Sequence, residues 1–262
     1  MKKRLDQHLL DEGFFETRQR ARAAVMEGLV SVDGRQDVKP GTQVRGSENF
    51  EVREPASRFV SRGGVKLEGA LAELGIDVSG LDALDVGAST GGFTDCLLKR
   101  GASRVIALDV GKGQLHWKLR NDPRVTIIEG FNARELSAAD LPFEPGMATV
   151  DVSFISLRKV IEPLAGAIGE RAPILALVKP QFEAGIGQAP KGVVRDPATH
   201  LEVLTGISRW LTESGFTLTG VAPSGIRGPK GNSEFFIWIE REGRGVSARD
   251  LESAVRRAHD KA

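Results

Sequence analysis

Several absences narrow this sequence before any motif is considered. There is one cysteine, Cys96, in 262 residues, so no intramolecular disulfide can form, and a reducing, cytoplasmic setting fits. No stretch approaches the roughly 18 consecutive apolar residues of a membrane-spanning helix. The opening Met-Lys-Lys-Arg-Leu-Asp-Gln-His has no apolar core behind its charges, so neither a membrane span nor a secretory signal is expected. Net charge is nearly absent too. With 36 Lys plus Arg against 35 Asp plus Glu, whole-chain charge says nothing about a partner, and any basic surface must be local. No Cys/His cluster suggests a metal, and there is no repeat of fixed period or low-complexity tract.

At this length one full catalytic domain with a small appendage is the natural expectation. Leu5, Leu9 and Leu10 recur at helical spacing, Gly13 stops that helix, and Thr17 stands as N-cap of a second helix running through Glu27 to Gly28. Leu29 to Gly34 reads as a strand ending in an Asp-Gly turn, and Lys39-Pro40-Gly41 marks a turn before Val44, so two helices and a small hairpin are expected. Arg18 and Arg22 share one face of the second helix, with Arg20 between them, while Ala21, Ala24 and Val25 face inward. That basic face suits a phosphate backbone, and equally a solvated surface balanced by Glu16 and Glu27.

Arg4-Leu5-Asp6, Gly13, Thr17-Arg18, Ala21, Gly28, Val30, Val32-Asp33-Gly34 and Lys39-Pro40 together resemble the S-four RNA-binding domain over residues 3–48, with Thr17 for the usual Ser and Asp33 for the usual Asn. The resemblance implies RNA binding, with Arg4, Arg18 and Arg22 as contacts. Arg53 to Lys66 then carries Pro55, Ser57, Ser61, Gly63 and Gly64 among basic residues, of which Arg62 is expected to contact RNA; this is the composition of a connector, and a boundary is expected near residue 60.

Beyond it, strand and helix patterns alternate. Leu81 to Val86 runs as a strand into Gly87-Ala88-Ser89-Thr90-Gly91-Gly92, and Phe93 to Arg100 reads as a helix, an order in which glycines admit a ligand to the backbone and a helix N-terminus faces it. The spacing is not that of a dinucleotide fingerprint, which disfavours a nicotinamide-dependent dehydrogenase. Further strands are Arg104 to Asp109, Val125 to Glu129, Ala148 to Asp151, Ile174 to Val178, Phe216 to Val221 and Phe235 to Ile239, with a helix from Pro197 through Leu211 and another after Ser247. The expectation is an α/β, Rossmann-like doubly wound sheet behind a small α+β N-terminal domain. Gly87, Asp109, Asp151 and Lys179 all fall at C-terminal strand ends, where such sheets bind ligands. Asp151, Lys179 and Glu234 interrupt or flank apolar strands, and charges there are costly unless paired or used. His200 reads as a surface helix residue, and His8, His116 and His259 as incidental.

Asp85-x-Gly87-x-x-x-Gly91-Gly92, with Asp109 at the next strand end, resembles the first motifs of S-adenosylmethionine methyltransferases. Ser61-Arg62-Gly63-Gly64-Val65-Lys66, Asp151-Val152-Ser153-Phe154, Val178-Lys179-Pro180 and Asn232-Ser233-Glu234-Phe235 resemble the FtsJ-type ribose 2′-O-methyltransferases, and residues 3–240 resemble the TlyA family of rRNA cytidine-2′-O-methyltransferases, historically labelled haemolysins. These resemblances imply a catalytic tetrad of Lys66, Asp151, Lys179 and Glu234. In it Lys179 contacts the 2′-oxygen, Lys66 and Glu234 fix Lys179, and Asp151 holds Lys179 and the cofactor's amino group. They imply S-adenosyl-L-methionine on Asp85, Gly87, Ala88, Ser89, Gly91, Gly92, Phe93, Asp109, Asn132 and Asp151. Ribosomal RNA or ribosomal subunits are the implied partners. Residues 1–60, 61–245 and 246–262 are expected as RNA-binding domain with connector, methyltransferase domain and C-terminal helix. The segment Phe182 to His200, rich in glycine and proline, is expected to cover bound RNA with Lys191 and Arg195 on phosphates. A binding-only ribosome-assembly protein would not need the glycine loop, Asp109 and the tetrad positions together. A membrane-lytic toxin would need an insertion segment that the sequence lacks.

Overall fold

The computed structural model describes residues 2–15, 17–26, 28–52, 58–185 and 187–260. Of the connector expected from Arg53 to Lys66, residues 53–57 lie outside these, as do the balancing Glu16 and Glu27; residues 62–66 are not connector but open a packed helix, with Lys66 buried. The chain divides into two units, residues 1–57 and 58–262.

In the first unit, β1 (Lys3–Arg4) leads into α1 (Leu5–Asp11), and α2 (Arg18–Met26) packs on α1. Leu5, Leu9, Ala21 and Val25 are buried together with Val30 and Val44, which is the apolar face that the leucine and alanine spacing predicts. β2 (Val30–Val32), β3 (Gln43–Val44) and β4 (Phe50–Val52) complete the unit. The hairpin differs from expectation. Asp33 and Gly34 do turn the chain, both with positive φ as a two-residue hairpin turn requires. The return, however, makes a single bridge, Val32 with Arg35. β2 pairs instead with β4, and Val44 pairs back to Lys3. The all-apolar-facing Val30 and Val32 need a partner with its own apolar residues, and Phe50 and Val52 supply them where Arg35-Gln36-Asp37 cannot.

The second unit is one seven-stranded sheet. α3 (Arg62–Leu74) precedes β5 (Asp82–Val86), α4 (Gly92–Lys99), β6 (Arg104–Asp109), α5 (Trp117–Arg120), β7 (Val125–Glu129), β8 (Met147–Val150), α6 (Arg158–Ala167), β9 (Ile174–Val178), α7 (Pro180–Glu183), α8 (Pro197–Glu213), β10 (Thr217–Pro223), β11 (Phe235–Glu240) and α9 (Ala248–Asp260). The spatial order is β10-β11-β9-β8-β5-β6-β7, parallel except for β11, which runs antiparallel between β9 and β10. Both faces are covered, so successive residues of one strand enter opposite cores: Leu84, Ile106, Ala176 and Phe235 join one apolar cluster, and Ala83, Val105, Leu175 and Phe236 the other. Strand order reverses at β5, with β6 to one side and β8 to the other, and the crevice this opens lies beyond the carboxyl ends of β5 and β8.

α9 packs on α8 and β10 through Leu251, Ala254 and Val255, and Ser247 caps it by receiving the Asp250 N–H while Asp250 accepts the Ser247 N–H. His200 is corrected here. It is 0% exposed, lies edge-on to Phe235, and its Nδ1 is 2.9 Å from His259 Nε2 on α9. Its apolar spacing with Val203, Leu204 and Ile207 places it on the inner face of α8. Burial first, and then neighbouring His259, push the His200 imidazole down to about 4.

An unfolded histidine with pKa 6.5 takes up a proton before folded His200 does, so the stability tied to this neutral ring is present above 6.5 and lost as pH falls through 6.5 toward 4. Acidification from pH 7 to 5 is expected to cost on the order of 2 kcal/mol, visible as lower protection factors for the α9 amides, which are corrected for the intrinsic pH dependence of exchange, and His200→Leu is expected to flatten that dependence. Protection factors in α9 that stay constant over this range would contradict it.

Candidate active site

The site is built on a near-collision of backbones. Gly87, which follows β5 with φ +86°, lies so close to the segment following β8 that a Cβ on it would stand 2.6 Å from the Asp151 carbonyl oxygen. Only glycine meets both demands. The Asp151 N–H donates to Val86 O at 2.9 Å, and the N–H groups of Gly87 and Ala88 both donate to Leu108 O, so the loop, β6 and the Asp151 segment are held as one piece. Asp109, closing β6, accepts from the N–H of Ser89 at 2.8 Å and of Gly111 at 2.6 Å.

Two adjoining hollows result. A cleft of about 940 Å³ is lined by Gly87, Ser89, Asp109, Asn132 and Asp151 among others. A recess of about 250 Å³, also bordered by Gly87, Ser89 and Asp151, is lined by Arg62, Ala88, Gly92, Phe93 and by all four expected tetrad residues, Lys66, Asp151, Lys179 and Glu234. Residues as far apart as Lys66 and Glu234 thus converge on one opening beside the glycine loop.

The tetrad arrives as two ion pairs. Lys66, in the first turn of α3, donates to Glu234 Oε2 at 2.5 Å, both side chains being buried. Lys179, at the end of β9, sits 2.6 Å from Asp151 Oδ1 and donates to Ser153 Oγ at 2.8 Å. The expectation that Lys66 and Glu234 fix Lys179 gives way to two separate pairs: β9 lies between β8 and β11, so Lys179 emerges beside both Asp151 and Glu234, but Lys66, brought in by α3, takes Glu234 and leaves Asp151 to Lys179. Gly228 shapes the Lys66–Glu234 pair, since a Cβ there would stand 2.0 Å from Glu234 Oε1.

Two residues expected at the cofactor line neither hollow. Asp85 is 0% exposed beneath the loop, where Oδ2 accepts the Thr94 N–H at 2.9 Å and the Thr94 hydroxyl at 2.7 Å, and Oδ1 accepts the Thr149 hydroxyl at 3.1 Å. It ties α4 to β8 from below. Gly91 caps α4 in the left-handed region, with Leu119 filling the space that a side chain would need. Asn132 lines the cleft while its amide caps the turn Ala133–Glu135, accepting from the Arg134 N–H.

The Phe182 to His200 segment is less structureless than its composition suggests. Pro190–Gly192 is a 3-10 turn, Val193 and Val194 are buried, and buried Asn232 clamps the segment by accepting the Val194 N–H and donating to Gly192 O, both at 3.0 Å. Lys191 and Arg195 are exposed. A second Pro-Lys-Gly turn, Pro229–Gly231, stands beside the first, Lys230 Nζ donating to Lys191 O at 3.4 Å, and both lysines have positive φ. Sequence reasoning also missed Phe154 and Glu183. Phe154 is 90% exposed on the cleft rim with φ +63°, its ring 5.2 Å from that of Phe182. Glu183 accepts from the Ser156 hydroxyl and the Leu157 N–H at 2.7 Å each, tying the 151–156 loop to α7, and burial raises its carboxyl above the usual range. The aromatic in a polar Ser153-to-Ser156 loop was the available signal.

In the first unit, Arg4 and Arg18 both donate to buried Asp6, at 3.0–3.1 Å, and Arg22 is exposed beside them. The Arg4 and Arg18 guanidiniums hold the Asp6 carboxyl below the usual carboxylate range.

The family comparison turns on the same elements: residues 59–241, from the segment before Lys66 to the end of β11, match the FtsJ-like methyltransferase family. The chain belongs to the FtsJ-like methyltransferase family. Residues 3–50 match the S4 domain. The chain is 45% identical over 97% of its length, and 96% of the relative's, to a Mycobacterium tuberculosis protein named 16S/23S rRNA (cytidine-2′-O)-methyltransferase TlyA. It is 41% identical to a Brachyspira hyodysenteriae protein named Hemolysin A, over 88% of this chain and 97% of that one. A solved structure of a Streptococcus thermophilus protein that carries the name hemolysin superposes with a TM-score of 0.77 at 39% identity, over 99% of this chain and 96% of that one. Among the described residues no helix is long and apolar enough to cross a membrane.

Burial pushes the Asp85 carboxyl up to about 7, against the pull of the Thr94 and Thr149 hydrogen bonds. The unfolded group titrates near 3.8, so the stability Asp85 contributes is full below 3.8 and is lost as pH rises through about 7. Asp85→Asn, which has no carboxyl to ionise, is expected to gain on the order of 2–3 kcal/mol relative to the parent between pH 5 and pH 8 in urea melts. Parallel curves for the two proteins would refute this.

Proposed function

We propose that this chain methylates the 2′-oxygen of a cytidine ribose in ribosomal RNA, using S-adenosyl-L-methionine, in the cytoplasm, with rRNA or a ribosomal subunit as its partner. The observation that carries the reading is the convergence of Lys66, Asp151, Lys179 and Glu234 on the recess that adjoins the glycine-loop cleft. The names of the relatives support the substrate class.

The residues present fit the cofactor. The cleft has the volume for a nucleoside with an amino-acid tail, Gly87 leaves room for close backbone approach, and the Asp109 carboxylate faces the space in which a ribose diol would lie. Asp109, Ser89 and Gly87 are the holding residues, with Asn132 toward the base and Asp151 toward the amino group. Asp85 and Gly91 act one layer below, by fixing the loop. When bound, S-adenosyl-L-methionine supplies an electrophilic methyl on sulfonium.

For in-line transfer to that methyl, the chain's own residues would have to hold the ribose 2′-oxygen in line and take up or pass on its hydroxyl proton. Lys179 is the group for that oxygen. Asp151 and Ser153 pin its Nζ at the boundary of the two hollows, so its remaining hydrogen-bonding capacity points at a ribose oxygen presented there. Lys66 and Glu234 wall the recess opposite and limit how the ribose enters. The exposed Phe154 face, braced by Phe182, offers a stacking surface for a base drawn out of its helix. Lys191 and Arg195 stand on the same strap as expected phosphate contacts.

Labelled methyl transfer from S-adenosyl-L-methionine to unmethylated ribosomal subunits tests the reading. The expected product is 2′-O-methylcytidine, and Lys179→Ala is expected to lower turnover by about 100-fold or more. Near-normal turnover in that variant, or a product methylated on a base, would overturn the assignment. In the first unit, Arg22→Ala is expected to weaken RNA binding and lower the salt dependence by about one counterion. An unchanged salt slope would argue that this face is merely solvated.

A further inference from the structure

Glu234 borders two spaces. One is the recess above, and the other is a cavity of about 30 Å³ behind it, walled by Ser224, Ile226, Arg227, Ser233, Glu234 and, from α9, Arg257 and Ala258. Of the Glu234 carboxylate, Oε2 is taken by Lys66, but Oε1 is buried without a hydrogen-bond partner among the described residues. It lies against Gly228, next in the chain to the wall residue Arg227. Arg257 Nε is likewise buried without a hydrogen-bond partner. Elsewhere on the wall the Ser224 hydroxyl donates to Ile226 O, and Arg227 Nη1 donates to Gly231 O and to the Ser233 hydroxyl. An acceptor and a donor thus share a cavity large enough for a water, and leaving a buried carboxylate oxygen unsatisfied would cost about 1–3 kcal/mol or more. The same arginine's Nη1 donates to Glu73. Glu73 lies seven residues after Lys66 on α3, two helical turns along the same face.

We propose that Arg257 of the C-terminal helix is a positioning residue for methyl transfer: its Nε satisfies Glu234 Oε1 through a water in this cavity, while its Nη1 holds α3, so that one guanidinium aligns both partners of the Lys66–Glu234 pair. The inference rests on the catalytic reading of the recess given above. It also gives α9 a role, as the back wall of the site.

Arg257→Met and Arg257→Gln separate the two contacts. Both lose the reach to Glu73 and keep the aliphatic stem, but only glutamine places an N–H donor where Nε stood. With the full chain, methyl transfer to ribosomal subunits, cofactor affinity by calorimetry and thermal melting would be measured for both variants and for Glu73→Gln. The expected result is a fall in kcat of about tenfold for Arg257→Met, with cofactor affinity and KM for RNA unchanged, restored to within about threefold of the parent by Arg257→Gln, at similar melting temperatures for the two. Equal kcat for the methionine and glutamine variants overturns the proposal, whether both match the parent or both fall together with Glu73→Gln, since the arginine would then be at most a helix staple. A parent chain that transfers no methyl to RNA overturns the catalytic reading, and this proposal with it.

Discussion

The approach of Gly87 to the Asp151 carbonyl is the constraint on which the rest of the methyltransferase domain depends. Parallel neighbours β5 and β8 must end at the same height for it to occur, and the strand order must reverse between them for a crevice to open there. Once the two backbones touch, Asp151 is placed, and Lys179 follows because β9 is the next strand over. A methyl group at residue 87 would lift Asp151 away from β5 and carry Lys179 with it. The cleft and the recess are therefore one feature seen from two sides.

Much of this was legible in the sequence because the sheet is covered on both faces. Strand β9 reads as an unbroken apolar run and β6 and β7 as largely apolar ones, all with the limits they have in the fold, and the glycine loop announces itself by spacing. What resisted reading was pairing. The turn at Asp33-Gly34 is real, yet it does not select the partner of β2, which is settled by apolar side chains some eighteen residues on. The four charged residues of the recess could be picked out singly but not paired, because Lys179 stands between Asp151 and Glu234 and the choice is made by where α3 brings Lys66. Asp85 and His200 show the remaining blind spot. A polar residue in an apolar pattern looks the same in sequence whether it serves a ligand, faces water, or holds two elements together from inside.

Buried acids recur as organisers of nearby chemistry. Asp6 gathers Arg4 and Arg18 on the S4 unit, Asp85 fastens α4 under the glycine loop, and Glu183 secures the loop that displays Phe154. Each makes two or more hydrogen bonds, the condition under which a buried carboxylate is tolerable, and each fixes a segment that presents other groups outward. Two of the three arginines of the S4 unit expected on RNA are thus held in fixed orientation, which lowers the entropy lost when they meet a phosphate.

The Lys66–Glu234 pair spans 168 residues of chain, and β11 enters the sheet between strands that were made before it. During synthesis the N-terminal unit and the β5–β7 half of the sheet can form while the ribosome is still adding residues, but the recess has no fourth wall until β11 emerges and inserts. A nascent or truncated chain can therefore present the S4 surface long before it acquires a reaction site, so that grip on RNA precedes the capacity to modify it.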